Sequence, residues 1–143
     1  MIILDSFTNA FKLAISAAGA YLFGGFDLLM QLLCIVMAVD FITGILLAVV
    51  FRKSPKSDEG ALSSTVAAKG AVRKVCQLML VMIITRLGES LGDGQFCRNT
   101  AILFFSANEG ISILENMGLM GVKYPMWLKK SLDVLLKNSD NVK

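Results

Sequence analysis

The run from Leu28 to Phe51 does most to limit where this chain can fold. Its 24 residues hold only Gln31, Asp40 and Thr43 as polar side chains. As a helix it would be roughly 36 Å long, enough to cross a ~30 Å hydrocarbon core with some tilt. Arg52 and Lys53 end it abruptly. The rest of the chain fits the same solvent. Hydrophobic residues make up 55% of the 143 residues and charged ones 17%, against about 45–50% and 25% in ordinary soluble domains. A single compact unit of this size could not bury so much apolar surface in water, and a lipid bilayer removes the need.

Hydrophobic patterning divides the chain into four membrane-length helices and a fifth, amphipathic one. The first covers about residues 7–23. It is interrupted at its start by Asn9 and Lys12, and it carries the small-residue patch Ser16-Ala17-Ala18-Gly19-Ala20. Small patches let helix backbones approach closely in lipid. Gly24-Gly25 offers a tight turn, so this helix is expected to pack antiparallel to the second, residues 28–51. A helix lying on the membrane surface is the alternative for this segment. A cleaved signal peptide fits poorly, because the apolar stretch before Ala18-Gly19-Ala20 is short and the leader carries Asp5. A polar loop follows, with Ser54-Pro55-Lys56-Ser57-Asp58-Glu59-Gly60 as its flexible part. The third helix covers about residues 71–91. Gly92-Asp93-Gly94-Gln95 turns the chain into the fourth, about residues 99–120. Residues 125–137 form the amphipathic helix: Pro125 suits its first position, Leu128, Leu132 and Leu135 share one face, and Tyr124 and Trp127 sit where an aromatic belt would. A disordered tail is expected after Asn138.

The distribution of basic residues sets orientation. Arg52, Lys53, Lys56, Lys69, Arg73 and Lys74 cluster between the second and third helices. Lys123, Lys129, Lys130, Lys137 and Lys143 cluster at the C-terminus. The turn after the third helix offers only Arg98, against Glu89 and Asp93. Both basic regions therefore belong in the cytoplasm, with Arg52, Lys53, Arg73, Lys74, Lys129 and Lys130 as the anchor. Four crossings with both termini inside satisfy this. If the first segment only lies on the surface, three crossings remain and the N-terminus is outside.

Composition also excludes much chemistry. There is no histidine, hence no histidine base, ligand or triad. Cys34, Cys76 and Cys97 form no metal-ligand spacing; Cys34 and Cys76 lie in apolar runs and read as small buried side chains. No catalytic residue, metal or cofactor is expected. The net charge of +3 is too weak to argue for nucleic acid.

Ionisable residues inside apolar helices are costly and face protein or water. Asp40 lies near the middle of the second helix and Glu109 near the middle of the fourth, while Arg86 lies toward the outer half of the third. Phe105, Glu109, Ser112 and Asn116 share one helical face, with Asn108 beside them, and Asp40, Thr43 and Gly44 share another. These side chains either glue the helices to one another or line a water-filled path, within one chain or between copies. Two acids and one central base leave a charge over, which favours water. The faces are candidates for the oligomer seam or pore lining.

Several of these residues form a familiar pattern: Asp40-Phe41-Ile42-Thr43-Gly44, Lys69-Gly70-Ala71-Val72-Arg73-Lys74, Arg98-Asn99, and the long block from Phe104 to Asn116 around Asn108-Glu109-Gly110. From roughly Phe23 to Leu136 the chain resembles the phage holin family that includes the toxin-secretion holins of clostridia. The Asn108-Glu109-Gly110 block is the specific part. The resemblance implies a non-enzymatic protein that accumulates in the bacterial inner membrane, assembles with itself and permeabilises it, so that a cell-wall hydrolase or a toxin is released. An antiholin is a candidate partner. Two departures stand out: Gly121-Val122-Lys123-Tyr124 lacks the second proline that relatives often carry, and the family pattern does not include Arg86. A non-permeabilising, antiholin-like regulator and a small ion transporter using Asp40 and Glu109 share the same features.

Overall fold

A computed structural model describes the backbone of residues 2–55 and 63–140, and the side chains of 5–55, 63–131, 133 and 134. It contains five helices: α1 (Ile2–Phe23), α2 (Leu28–Val49), α3 (Ser64–Ser90), α4 (Gly94–Leu119) and α5 (Met126–Asp140). Among the described residues there is no strand.

Each boundary has a local cause. α1 starts at Ile2 rather than near residue 7, because Asp5, Asn9 and Lys12 fall on one side of the helix and do not interrupt it. Gly24 and Gly25 both adopt positive φ (67° and 113°), a conformation glycine reaches without steric penalty. Asp27 caps α2, its carboxylate accepting from the Met30 N–H at 3.0 Å, which satisfies one of the orphan donors of the first turn. At the other end Arg52 takes a positive φ of 49°, so α2 stops at Val49, before Phe51. α3 begins a full two turns ahead of Ala71: the stretch after Ser63 is rich in helix formers, and Gly70 sits inside the helix without ending it. Gly94 and Gln95 belong to α4 and not to the turn, which needs only Gly92 (φ 84°) and Asp93. Gly121 (φ 89°) reverses the chain after α4, and Tyr124 folds back to within 3.5 Å of the space beside Gly118, laying α5 against α4.

The tail expected to be disordered after Asn138 is helical through Asp140. Residues 141–143 with Lys143, the loop stretch 56–62 with Lys56, and the side chains of Leu132, Leu135 and Lys137 lie outside the described residues.

α4 is the central element, packed against α2, α3 and α5. α2 and α3 touch each other little. The core lies between α2, α3 and α4 and is built from Met30, Leu33, Met37, Val81, Ala101 and Ile102. α1 does not pack along α2 as the glycine turn suggested; it meets α3 lightly, and residues 5–18 are all exposed. Large apolar side chains stand exposed on all five helices, including Phe7 at 70%, Leu28 at 82% and Ile83 at 58%. That much uncovered apolar surface is a liability in water and unremarkable in lipid. Among the described residues α2 is the one helix both long and apolar enough to cross a membrane. α3 and α4, at roughly 40 Å, have the length but carry charged side chains.

Candidate functional site: two buried charge ties on the central helix

Buried charges of α3 and α4 form two layers, one near the middle of the helices and one at the α1–α2 turn. The first layer holds Lys74, Asp40 and Glu109. Lys74 Nζ donates to Asp40 Oδ2 at 2.8 Å and to Glu109 Oε2. The three side chains are 15%, 12% and 5% exposed. One ammonium thus bridges α2, α3 and α4. Asn116 extends the group by donating to Asp40 Oδ1 at 3.3 Å and to Thr43 Oγ1 at 3.1 Å. Gly44 lies beside this amide: a Cβ there would be in ordinary contact with Asn116 Nδ2, at 3.8 Å.

Beside this layer lies a cavity of about 120 Å³, open toward the α2–α3 loop. Asp40, Gly44, Asn108, Glu109, Ser112 and Asn116 line it, together with Arg73, Lys74 and the loop residues Ser54, Pro55 and Ser63. Six of the nine residues expected at a seam or pore are therefore gathered around one space inside a single chain. Thr43 is buried just behind it. Phe105 is turned instead toward the apolar core and stacks edge-on against Phe104 at 5.3 Å.

Arg86 is not the base that answers the two acids. It pairs with Glu89 one turn further on, at 2.7 Å, and lies over the Tyr21 ring at 4.3 Å, so it fastens α1 to α3. Lys74 takes the central role. Position explains the difference: Arg86 lies more than three turns from Lys74 on α3, beyond reach of Asp40 or Glu109. Lys74 is correspondingly no free surface anchor. Of the other anchor residues Arg52, Lys53, Arg73 and Lys130 are exposed, and Lys129 reaches Glu115 at 3.7 Å, tying α5 to α4.

The second layer is built on Arg98, which the sequence offered as a basic residue of the turn and, with Asn99, as part of the family pattern, but not as a buried tie. It is 1% exposed. Its guanidinium donates to both oxygens of Asp27, at 2.9 and 3.0 Å, to the Gly25 carbonyl at 3.0 Å and to the Phe23 carbonyl. The planar fork suits this two-pronged pairing. The Arg98 hydrogen bonds, with the Met30 N–H, hold the Asp27 carboxyl down at about 2, against an ordinary 3.8. Gly24 fits over the arginine stem with a Cβ-equivalent clearance of 3.0 Å, so the glycine turn and Arg98 are matched parts. One helical turn away, Gly88 presses against Cys97, where a Cβ would come within 2.6 Å. This close approach seats α3 on α4.

Charge pairing of this kind is what lets polar helices lie within a nonpolar bundle: each ionised group finds a counter-charge within the chain. Nothing in the arrangement resembles a nucleophile with its base. Among the described residues no group of three cysteine, aspartate or glutamate side chains could hold a metal ion.

Comparison with known proteins adds the following. The sequence profile of the bacteriophage holin family matches residues 17–137. A protein of Bacillus phage phi105 named "Probable holin" is 31% identical over 127 residues, covering 89% of this chain and 87% of its own. The uncharacterized protein Lin0175 of Listeria innocua is 38% identical over 117 residues, covering 82% and 78%. An uncharacterized 14.9 kDa protein from the nagH 3′ region of Clostridium perfringens is 31% identical over 136 residues, covering 92% and 97%. No solved structure matches.

Proposed function

The chain belongs to the bacteriophage holin family, and from that membership we propose that it gathers into homo-oligomers in the bacterial inner membrane and permeabilises it, releasing a cell-wall hydrolase or a toxin. The family implies a membrane location and supports a non-enzymatic role. The observation that carries the finer reading is the match over residues 17–137 together with the phage relative named as a probable holin.

In this reading α1, α2, α3 and α4 all cross the bilayer and both termini are cytoplasmic. The basic residues Arg52, Lys53, Arg73, Lys129 and Lys130 then meet anionic headgroups, at about 1 kcal/mol for each nearby Lys or Arg. The Lys74 and Arg98 ties keep a single copy closed and compatible with lipid. Lipid supplies no hydrophobic drive between helices, so copies associate through small and polar contacts that are weak one by one. Assembly accordingly depends on concentration, which suits a protein that accumulates silently and then acts. The faces carrying Asp40 and Glu109 serve as glue within each copy, and the cavity beside them as a wet vestibule on the cytoplasmic side. An antiholin-like regulator would share the same closed bundle. A carrier is less well supported, because both candidate carboxylates are already engaged by Lys74.

The test is induction in a bacterium with membrane potential and culture density followed together. Abrupt depolarisation and growth arrest past a threshold of expression is the expected result. Steady growth at high expression would sink the permeabilising reading, and a slow, ion-specific leak would point to the carrier.

A further inference from the structure

α1 differs from the other long helices in having its polar residues unengaged by the bundle. Asp5, Asn9, Lys12, Ser16 and Gly19 follow one another at intervals of four, three, four and three residues. That is the spacing of a heptad seam, which keeps one stripe of a helix facing a neighbour. Here the stripe is polar or small at every step. All of its side chains are exposed and Gly19 is half-buried, with open space beside its Cα. The opposite face carries Phe7 and Phe11, at 70% and 60% exposure. The bundle holds α1 by its C-terminal end, through Tyr21 on Arg86 and the Phe23 carbonyl on Arg98.

Depth makes the stripe consequential. α1 is 22 residues long, and Lys12 falls near its midpoint, about 15 Å from the first residue along the axis. If α1 spans the bilayer, an uncompensated ammonium stands at mid-membrane. Lipid is a poor environment for it, and among the described residues no acid pairs with it. A parallel pair of copies in direct contact would set Lys12 against Lys12 and Asp5 against Asp5. Water between several copies removes both difficulties, and the mixed charge of the stripe keeps a ring of such helices from being repulsive throughout.

We infer that the Asp5–Asn9–Lys12–Ser16 stripe of α1 faces an aqueous space shared with the same stripe of other copies, while Phe7 and Phe11 face lipid. The inference rests on the permeabilising reading and assigns its wet surface to α1 rather than to the Asp40 and Glu109 faces, which are closed within each chain.

The experiment uses the full chain with Cys34, Cys76 and Cys97 replaced by alanine and one new cysteine introduced at a time. Asn9→Cys and Ser16→Cys report the stripe; Phe7→Cys and Phe11→Cys report the opposite face. Each protein is reconstituted in vesicles at low and at high protein-to-lipid ratio. A water-soluble maleimide is applied to both sides, and dye leakage is read from the same vesicles. Labelling of the two stripe cysteines should rise several-fold with protein density while the other two stay unlabelled. Equal stripe labelling at all densities would mean a helix lying on the surface and would overturn the inference. Labelling of neither face, or of both alike, would overturn it too. Stripe labelling without dye leakage leaves the wet stripe standing and removes the permeabilising reading; leakage without stripe labelling does the reverse.

Discussion

Replacing Lys74 by methionine keeps the length and apolar stem of the side chain and removes only the charge that spans three helices. At 2.8 Å from Asp40, a unit pair at an effective dielectric near 20 interacts by about 6 kcal/mol. A second pair, with Glu109, adds to that, and desolvation of three largely buried groups offsets much of both. The net effect is therefore better taken from the asymmetry of the mutant than from the Coulomb sum. Removing the ammonium takes the counter-charge from Glu109, 5% exposed, and from Asp40, 12% exposed, which keeps its Asn116 hydrogen bond; losing one partner of a buried pair costs about 3–5 kcal/mol. Glu109→Gln is the gentler change: it leaves the Asp40–Lys74 pair in place and should cost about 1–3 kcal/mol. The double variant Lys74→Met/Glu109→Gln relieves one stranded carboxylate, so it should be more stable than Lys74→Met alone by at least about 1 kcal/mol. Equilibrium unfolding in detergent micelles, followed by loss of helical circular dichroism, measures all three. The reasoning fails if Lys74→Met lies within about 0.5 kcal/mol of the parent, or if the two substitutions simply add.

Arg98→Ala should be as damaging as Lys74→Met, about 3–5 kcal/mol; it should also expose the Gly24-Gly25 turn to protease, whereas Arg98→Lys should recover only part because a point charge cannot replace the fork. Gly88→Ala forces a Cβ to within 2.6 Å of Cys97 and 3.1 Å of the Gly94 backbone, so it should lower the thermal midpoint by the equivalent of about 1–3 kcal/mol, with Cys97→Gly restoring part of the loss. The Asp27 carboxyl is held at about 2 in the folded chain against an ordinary 3.8. A depressed acid contributes stability that is complete above roughly pH 4 and is lost as pH falls through about 2. Thermal midpoints should therefore drop across that window in the parent and drop less in Asp27→Asn.

Much of the fold could be read from the chain because lipid-compatible helices announce themselves by long apolar runs. Leu28–Val49 is the clear case. Helix ends were harder. Gly70 and Gly94 look like breakers in the sequence but lie within helices, since a single glycine weakens a helix without ending one, whereas Arg52 ends α2 through a backbone conformation that its side chain does not advertise. The charge ties were only half legible. Asp40, Glu109 and Asn116 stood out as polar groups in apolar surroundings. Lys74 did not, because it follows Arg73 at what resembles a cytoplasmic boundary; its long stem reaches inward from there. Arg98 was hidden for the opposite reason: it sits near a turn, where arginine is usually solvated. The one hint was its recurrence beside Asn99 at the start of a helix, with Gly24-Gly25 and Asp27 far away in sequence.

The central placement of α4 bears on how the chain comes together during synthesis. α2 and α3 leave the ribosome first, touch each other little, and carry between them Asp40 and Lys74, one acid and one base. Their third member, Glu109, and the helix that holds both in place arrive only with α4. Until then α2 and α3 form a loose hairpin, and the N-terminal turn has no Arg98 to grip it. A protein truncated before residue 94 would therefore be an open intermediate. Completion of the fourth helix is the step that closes a nascent copy.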